Sequence, residues 1–199
     1  MKKWLPLIVI LGLVLIGVFY MANLNNRLVP LDERTSSQWG NVESAYQRRS
    51  DLIPNIVNTA KGYAEFEQET LTRVIEARSK ATAVTIDPTN ITPEQLAQFE
   101  QVQSNLSGAL SRLLAVFERY PDLKANENFR ELINELERTE NRINVERNRY
   151  NEVVEPYNVA VKTFPAKLFA GFLGFDEKPY YEAEEGSETA PEVEFDFNS

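Results

Sequence analysis

Thirty aspartates and glutamates against no histidine and no cysteine decide which chemistry is open to these 199 residues. Glutamates on several helices suggest a carboxylate-bridged metal centre. Such a centre in a four-helix bundle also draws on Glu-x-x-His pairs, which a chain without histidine cannot supply. Glu65, Glu67 and Glu69 stand two apart, so they spread around a helix and read as a solvated first turn. The missing histidine also removes the commonest general base. No serine stands in a Gly-x-Ser-x-Gly elbow, and no glycine-rich phosphate loop occurs. With no cysteine there is no thiolate, disulfide or lipid attachment site. The expectation is therefore no catalytic, cofactor-binding or metal residues, no small-molecule substrate, and no enzyme activity. A net charge of −9 and a pI near 4.8 argue against nucleic acid, whose phosphates need a basic face.

The unusual polar residues lie within hydrophobic seams. Arg49 and Glu146 each fall on a position that must face other helices. A buried charge is costly unless paired. Arg49 is thus expected to meet a carboxylate, with Glu146 the first candidate and Glu43 the second. Such a pair would set helix register.

The elements that would position these residues are helical almost throughout. From Leu24 a seam runs through Leu28, Leu31, Thr35, Gln38, Val42, Ala45, Arg49, Leu52, Ile56, Thr59 and Tyr63 in steps of four and three. That is the period of helices packed as in a coiled coil. Trp39, Tyr46, Ile53 and Val57 widen it. Pro30 predicts a hinge and Pro54 a kink or break. Thr92-Pro93-Glu94-Gln95 reads as a capped helix start after the Asp87-Pro88 turn. Helices are expected over about 24–63, 65–83, 93–120 and 125–163, an antiparallel up-down-up-down bundle in an all-α protein. Residues 164–175, FPAKLFAGFLGF, form a short amphipathic helix that either lies in the membrane interface or caps the bundle core. Residues 176–199 form an acidic tail, extended or disordered, with Lys178 its one base. Its PEVEFDF end could dock as an extended peptide.

Residues 1–23 read as a membrane anchor. Trp4 to Ala22 carries no charge and is about long enough to cross ~30 Å of hydrocarbon. Trp4 and Tyr20 sit near its ends, where amphipathic rings favour the headgroups. A cleaved signal peptide would need Tyr20 and Ala22 as its small pair and a shorter apolar core, so a single-pass anchor is favoured. Lys2 and Lys3 precede the span, and Arg27 and Arg34 follow it among Asp32 and Glu33. The bias favours an inside N-terminus and a bundle on the outer side. If α-helix 164–175 returns to the bilayer, Leu168, Phe169, Phe172 and Leu173 are its interfacial residues.

NRLVPLDERTSSQWGNVESAYQRRSDLIPNIVNTAKGYAEFEQETLTRVIEAR, Asn26 to Arg78, resembles the LemA family. So does ERNRYNEVVEPYNVAVKTFPAKLFAGFLGF, Glu146 to Phe175, with RRSDLIPN followed by KGYAEFE as the most specific part. The matching positions are Trp39, Arg48, Arg49, Asp51, Leu52, Ile53, Pro54, Asn55, Gly62, Tyr63, Tyr150, Asn151, Phe164 and Pro165. The resemblance implies a bacterial membrane protein with a soluble antiparallel helical bundle, and the anchor places it in the inner membrane as an expectation. It implies no known activity, and no catalytic residues to carry over.

Two non-enzymatic functions follow from these features. One is an envelope scaffold that self-associates, with the bilayer and further copies as its partners. The alternative is an adaptor presenting its bundle to another membrane protein, such as a protease or sensor.

Overall fold

A seam stepping by four and three keeps one stripe of a helix continuously inward, so long helices can pair along their whole length. The computed structural model, which describes residues 4–62 and 67–182, is built this way. Its helices are α1 (Leu5–Lys61), α2 (Gln68–Ala83), α3 (Pro93–Phe117), α4 (Pro121–Ala125) and α5 (Glu127–Lys162). Two 3-10 turns follow, Ala166–Leu168 and Gly171–Leu173. There is no strand among the described residues. Tyr63 and the PEVEFDF segment lie outside them.

α1 carries both the apolar span and the first bundle helix, 57 residues or about 85 Å without a break. It runs through Pro30 and Pro54, so the expected break at Pro54 does not form. The reason lies in the partner of the carbonyl that Pro54 leaves open. Proline offers no N–H to the residue four earlier, and Arg78 Nε of α2 donates to that carbonyl, Ser50 O, at 2.7 Å.

α1 pairs with α5 and α2 with α3, both antiparallel. Gln38 reaches Glu146 while Arg48 reaches Glu135. Gln103 reaches the Ala81 carbonyl while Arg119 reaches Glu67. The expected capped start at Thr92-Pro93 holds. Thr92 Oγ1 accepts from Gln95 N at 3.3 Å, and Gln95 Oε1 accepts from Thr92 N at 3.1 Å. Asn126 Oδ1 accepts from Phe129 N at 2.9 Å and opens α5. Each such cap stabilises its helix by about 1 kcal/mol. Pro121 starts the short α4 just after α3 ends.

Three clusters fill the bundle from end to end. Ile56, Val74, Leu106, Leu113, Phe117 and Phe129 pack at the far end. Trp39, Tyr46, Phe99, Tyr150 and Tyr181 pack midway. Leu24, Leu28, Tyr157, Ala160, Ala166 and Ala170 pack where the span joins the bundle. The expected helix over 164–175 is instead two 3-10 turns, closed by Gly174 at φ +80°. A left-handed residue there ends the second turn and sends the chain back along α5, and glycine takes that conformation at no steric cost.

Candidate functional site

Arg49 sits at the inner face of α1 with its side chain 1% exposed. Its Nη1 donates to Ser107 Oγ at 2.7 Å and to Glu140 Oε1 at 2.8 Å. Its Nη2 donates to Gln103 Oε1 at 2.6 Å and to the Gln103 carbonyl at 3.3 Å. The guanidinium lies 5.1 Å from the Tyr46 ring centroid. One cation thus ties α1 to α3 and α5 together.

The expected Arg49–Glu146 pair does not form. In the α1/α5 register Gln38 faces Glu146, and Arg49 lies eleven residues further along α1. Eleven residues are about 16 Å of helix, well beyond the reach of a side-chain pair. Both residues are buried as the seam requires, but each is satisfied separately. Glu146 accepts from Gln38 Nε2 at 2.8 Å and from Arg149 Nη1 at 3.0 Å, with Arg142 at 3.6 Å. Glu43 pairs with neither. Burial pushes its carboxyl up, and the Trp39 indole draws it partly back.

Above Arg49 the seam between α3 and α5 is open, forming a groove of about 780 Å³. Glu100, Glu137, Glu140 and Glu182 rim it, and Ser104, Ser107 and Ser111 line one wall. Arg147 bridges its lower end, donating to Glu100 Oε1 at 3.0 Å and to the Glu182 carbonyl at 3.3 Å. Burial pushes the Glu100 carboxyl up, Arg147 pulls it down, and Glu182 raises it again. Ser107 accepts from Arg49, and Ser111 donates to the Ser107 carbonyl. Neither hydroxyl has a general base among these hydrogen-bond partners. Among the described residues no cluster of three or more ligand side chains could hold a metal ion.

Residues 176–182 form a strap that brings Glu182 to the lower end of this groove, a feature sequence reasoning missed. They run extended along α5, held by two asparagine side chains. Asn158 accepts from Lys178 N at 2.9 Å and donates to Lys178 O at 2.8 Å. Asn151 makes the same pair with Tyr181, at 2.9 and 2.8 Å. The spacing explains the fit. Seven residues of helix and three of extended chain both cover about 10 Å. Each amide therefore satisfies the N–H and C=O of one residue as a neighbouring strand would. Lys178, 3% exposed, donates to Asp32 Oδ1 at 2.9 Å and to the Pro88 carbonyl at 3.0 Å. It joins α1 to the α2–α3 loop. Tyr181 stacks on Trp39 at 6.0 Å, and Arg147 covers its other side at 4.6 Å. The available signals were a single lysine in an acidic stretch and two asparagines seven apart on one face of α5.

The other residues singled out in the sequence divide by role. Trp39 and Tyr150 meet at 5.5 Å in the middle cluster. Arg48 pairs with Glu135 at the surface, and Asp51 accepts from Gln47. Pro54 and Asn55 are exposed on α1, and Gly62 caps its end. Phe164 and Pro165, joined by a cis peptide, begin the turn beneath α5. Trp4 is exposed at the start of the span. Tyr20 touches Phe169 at 5.6 Å. The four expected interfacial residues split, with Leu168 and Phe172 exposed and Phe169 and Leu173 packed on the lower cluster.

The LemA family profile matches residues 38–195, from the Trp39 cluster through the strap and beyond it. The chain belongs to the LemA family. Similar curated proteins include Protein LemA of Metamycoplasma hominis, 28% identical over 172 residues, covering 85% of this chain and 75% of that one. Magnetosome protein MamQ 2 of Paramagnetospirillum magneticum is 26% identical over 181 residues, covering 82% of this chain and 66% of its own. Magnetosome protein MamQ of Magnetospirillum gryphiswaldense is 24% identical, with the same coverage. The chain thus spans just under two thirds of the MamQ proteins it matches. LemA proteins are not known as enzymes. Among the described residues of this LemA-family chain, one helix is long and apolar enough to cross a membrane, which fits a single-pass anchor.

Proposed function

We propose that this LemA-family protein is a non-enzymatic scaffold of the bacterial inner membrane, standing on its outer side and associating laterally with copies of itself. The observation that carries the reading is the charge arrangement around α5. Arg138, Arg142 and Arg149 form an exposed stripe that Arg48 of α1 extends, and Val145 stands exposed among them. At 3.6 residues per turn this stripe lies roughly opposite the face bearing Glu137 and Glu140. The bundle therefore has a basic side, with Glu135 and Glu146 inside it, and an acid-rimmed groove on the other. A protein with net charge −9 that gathers arginines on one flank has complementary sides for head-to-tail contact. The uninterrupted α1 favours the same role, because it makes the anchor and bundle core one continuous helix.

Mass photometry of gently solubilised full-length protein tests this. The expected result is a multi-copy species that weakens with salt, since exposed charge contacts are screened. Arg138→Glu, at an exposed position with no buried partner, should weaken it, and Glu137→Arg in the mixing partner should restore part of the loss. A monomer at every concentration would refute self-association. Recovery of a different membrane protein by in-cell cross-linking would then favour the adaptor role.

A further inference from the structure

We infer that the turn after α5 is a second membrane contact, a foot whose Phe164, Leu168 and Phe172 side chains enter the lipid interface beside α1. This rests on α1 spanning the bilayer and is independent of self-association. The three residues stand four apart and are 78%, 59% and 91% exposed. Ala166 and Ala170, between them in sequence, are buried against Leu24, Leu28, Tyr157 and Ala160. The segment is thus two-sided. Its inner side caps the lower cluster, and its outer side offers two phenylalanines and a leucine to the surroundings.

Continuity with the span says what covers that outer side. The uncharged run of α1 ends at Ala22, and the Phe169 ring lies 5.6 Å from that of Tyr20, within the last turn of the run. The foot therefore lies at the depth where hydrocarbon gives way to headgroups, a level fixed by the span's own length. At that level an apolar side chain leaves water by entering lipid. Lys167 is exposed on the same segment, while Lys162 at the end of α5 pairs with Glu177. The Lys167 stem can lie along the lipid while its ammonium meets anionic headgroups. A helix alone is free to tilt and to turn about its axis in the bilayer, and a foot beside it restrains both motions.

The chain has no cysteine, so single nitroxide labels can be placed cleanly in the full-length protein. Labels at Phe172→Cys, Ile16→Cys and Thr72→Cys, reconstituted in phosphatidylcholine/phosphatidylglycerol vesicles, report depth by collision with oxygen against a water-soluble nickel chelate. All three native residues are exposed, so none of the labels disturbs packing. The expected oxygen-to-nickel ratio at position 172 is several-fold above that at 72 and approaches that at 16. The Phe164→Ser, Leu168→Ser double variant should lower the ratio at 172. A water-like ratio at 172 with a lipid-like one at 16 would overturn the foot and leave the anchor standing. A water-like ratio at 16 would overturn the anchor and the foot with it. A label at 172 immobilised equally in detergent and in vesicles, shielded from both reagents, would assign the surface to protein and overturn the inference.

Discussion

Replacing Arg49 by alanine removes a guanidinium that makes four hydrogen bonds to residues of α3 and α5. Gln103, 5% exposed, then keeps a carbonyl oxygen without its donor. An unsatisfied buried group costs about 1–3 kcal/mol. Glu140 is 37% exposed, so water recovers much of its solvation and the full penalty of a stranded buried charge is not incurred. With the lost packing of the arginine stem, the expected destabilisation is about 3 kcal/mol. For a protein of this size that lowers Tm by roughly 6–12 °C. Circular dichroism at 222 nm of full-length protein in detergent reads the bundle's melting. Glu140→Gln should cost about 1 kcal/mol or less, because the site is partly solvated and screened. The decisive quantity is coupling. Arg49→Ala and Glu140→Gln should couple by about 1 kcal/mol, whereas Arg49→Ala and Glu146→Gln should add within about 0.5 kcal/mol. A melting temperature unmoved by Arg49→Ala, or coupling to Glu146 in place of Glu140, would refute this account.

Tyr150 and Tyr181 each bury a hydroxyl with no hydrogen-bond partner among the described residues. Tyr150→Phe and Tyr181→Phe should be neutral or stabilising by about 1 kcal/mol, read from the same melts. Burial pushes both phenols above their ordinary range. Unfolded tyrosine ionises near pH 10, so their contribution is fully present below that pH and is lost as pH rises past it. The phenylalanine variants should therefore resist alkaline unfolding better than the parent. Asn158→Ala removes both hydrogen bonds to Lys178. Amide exchange in residues 176–182 should speed up by at least tenfold, since losing about 1.4 kcal/mol of local stability is already a factor of ten, while exchange in the far-end core stays unchanged. Arg78→Ala leaves the Ser50 carbonyl without its donor and should cost about 1–2 kcal/mol. Adding Pro54→Ala should recover part of that loss by supplying an N–H within α1.

Periodicity determined the four long helices and the burial of Arg49 and Glu146, while helix lengths and the joints between them suggested the antiparallel order. A seam stepping by four and three allows one inward stripe, and whatever occupies it must go inside. The Thr92–Gln95 cap was equally legible, because its bonds span only three residues. The partner of Arg49 was not. Choosing between Glu140 and Glu146 depends on the axial offset between α1 and α5, which neither helix encodes by itself. Pro54 misled for a related reason. Its local penalty is real, but the compensating donor sits on another helix, 24 residues away in the chain. The strap was least legible. An acidic, extended stretch looks like a solvated linker until two asparagines seven apart on α5 meet its backbone. Composition favours solvent for such a segment, and only a partner surface already in place can reverse that preference.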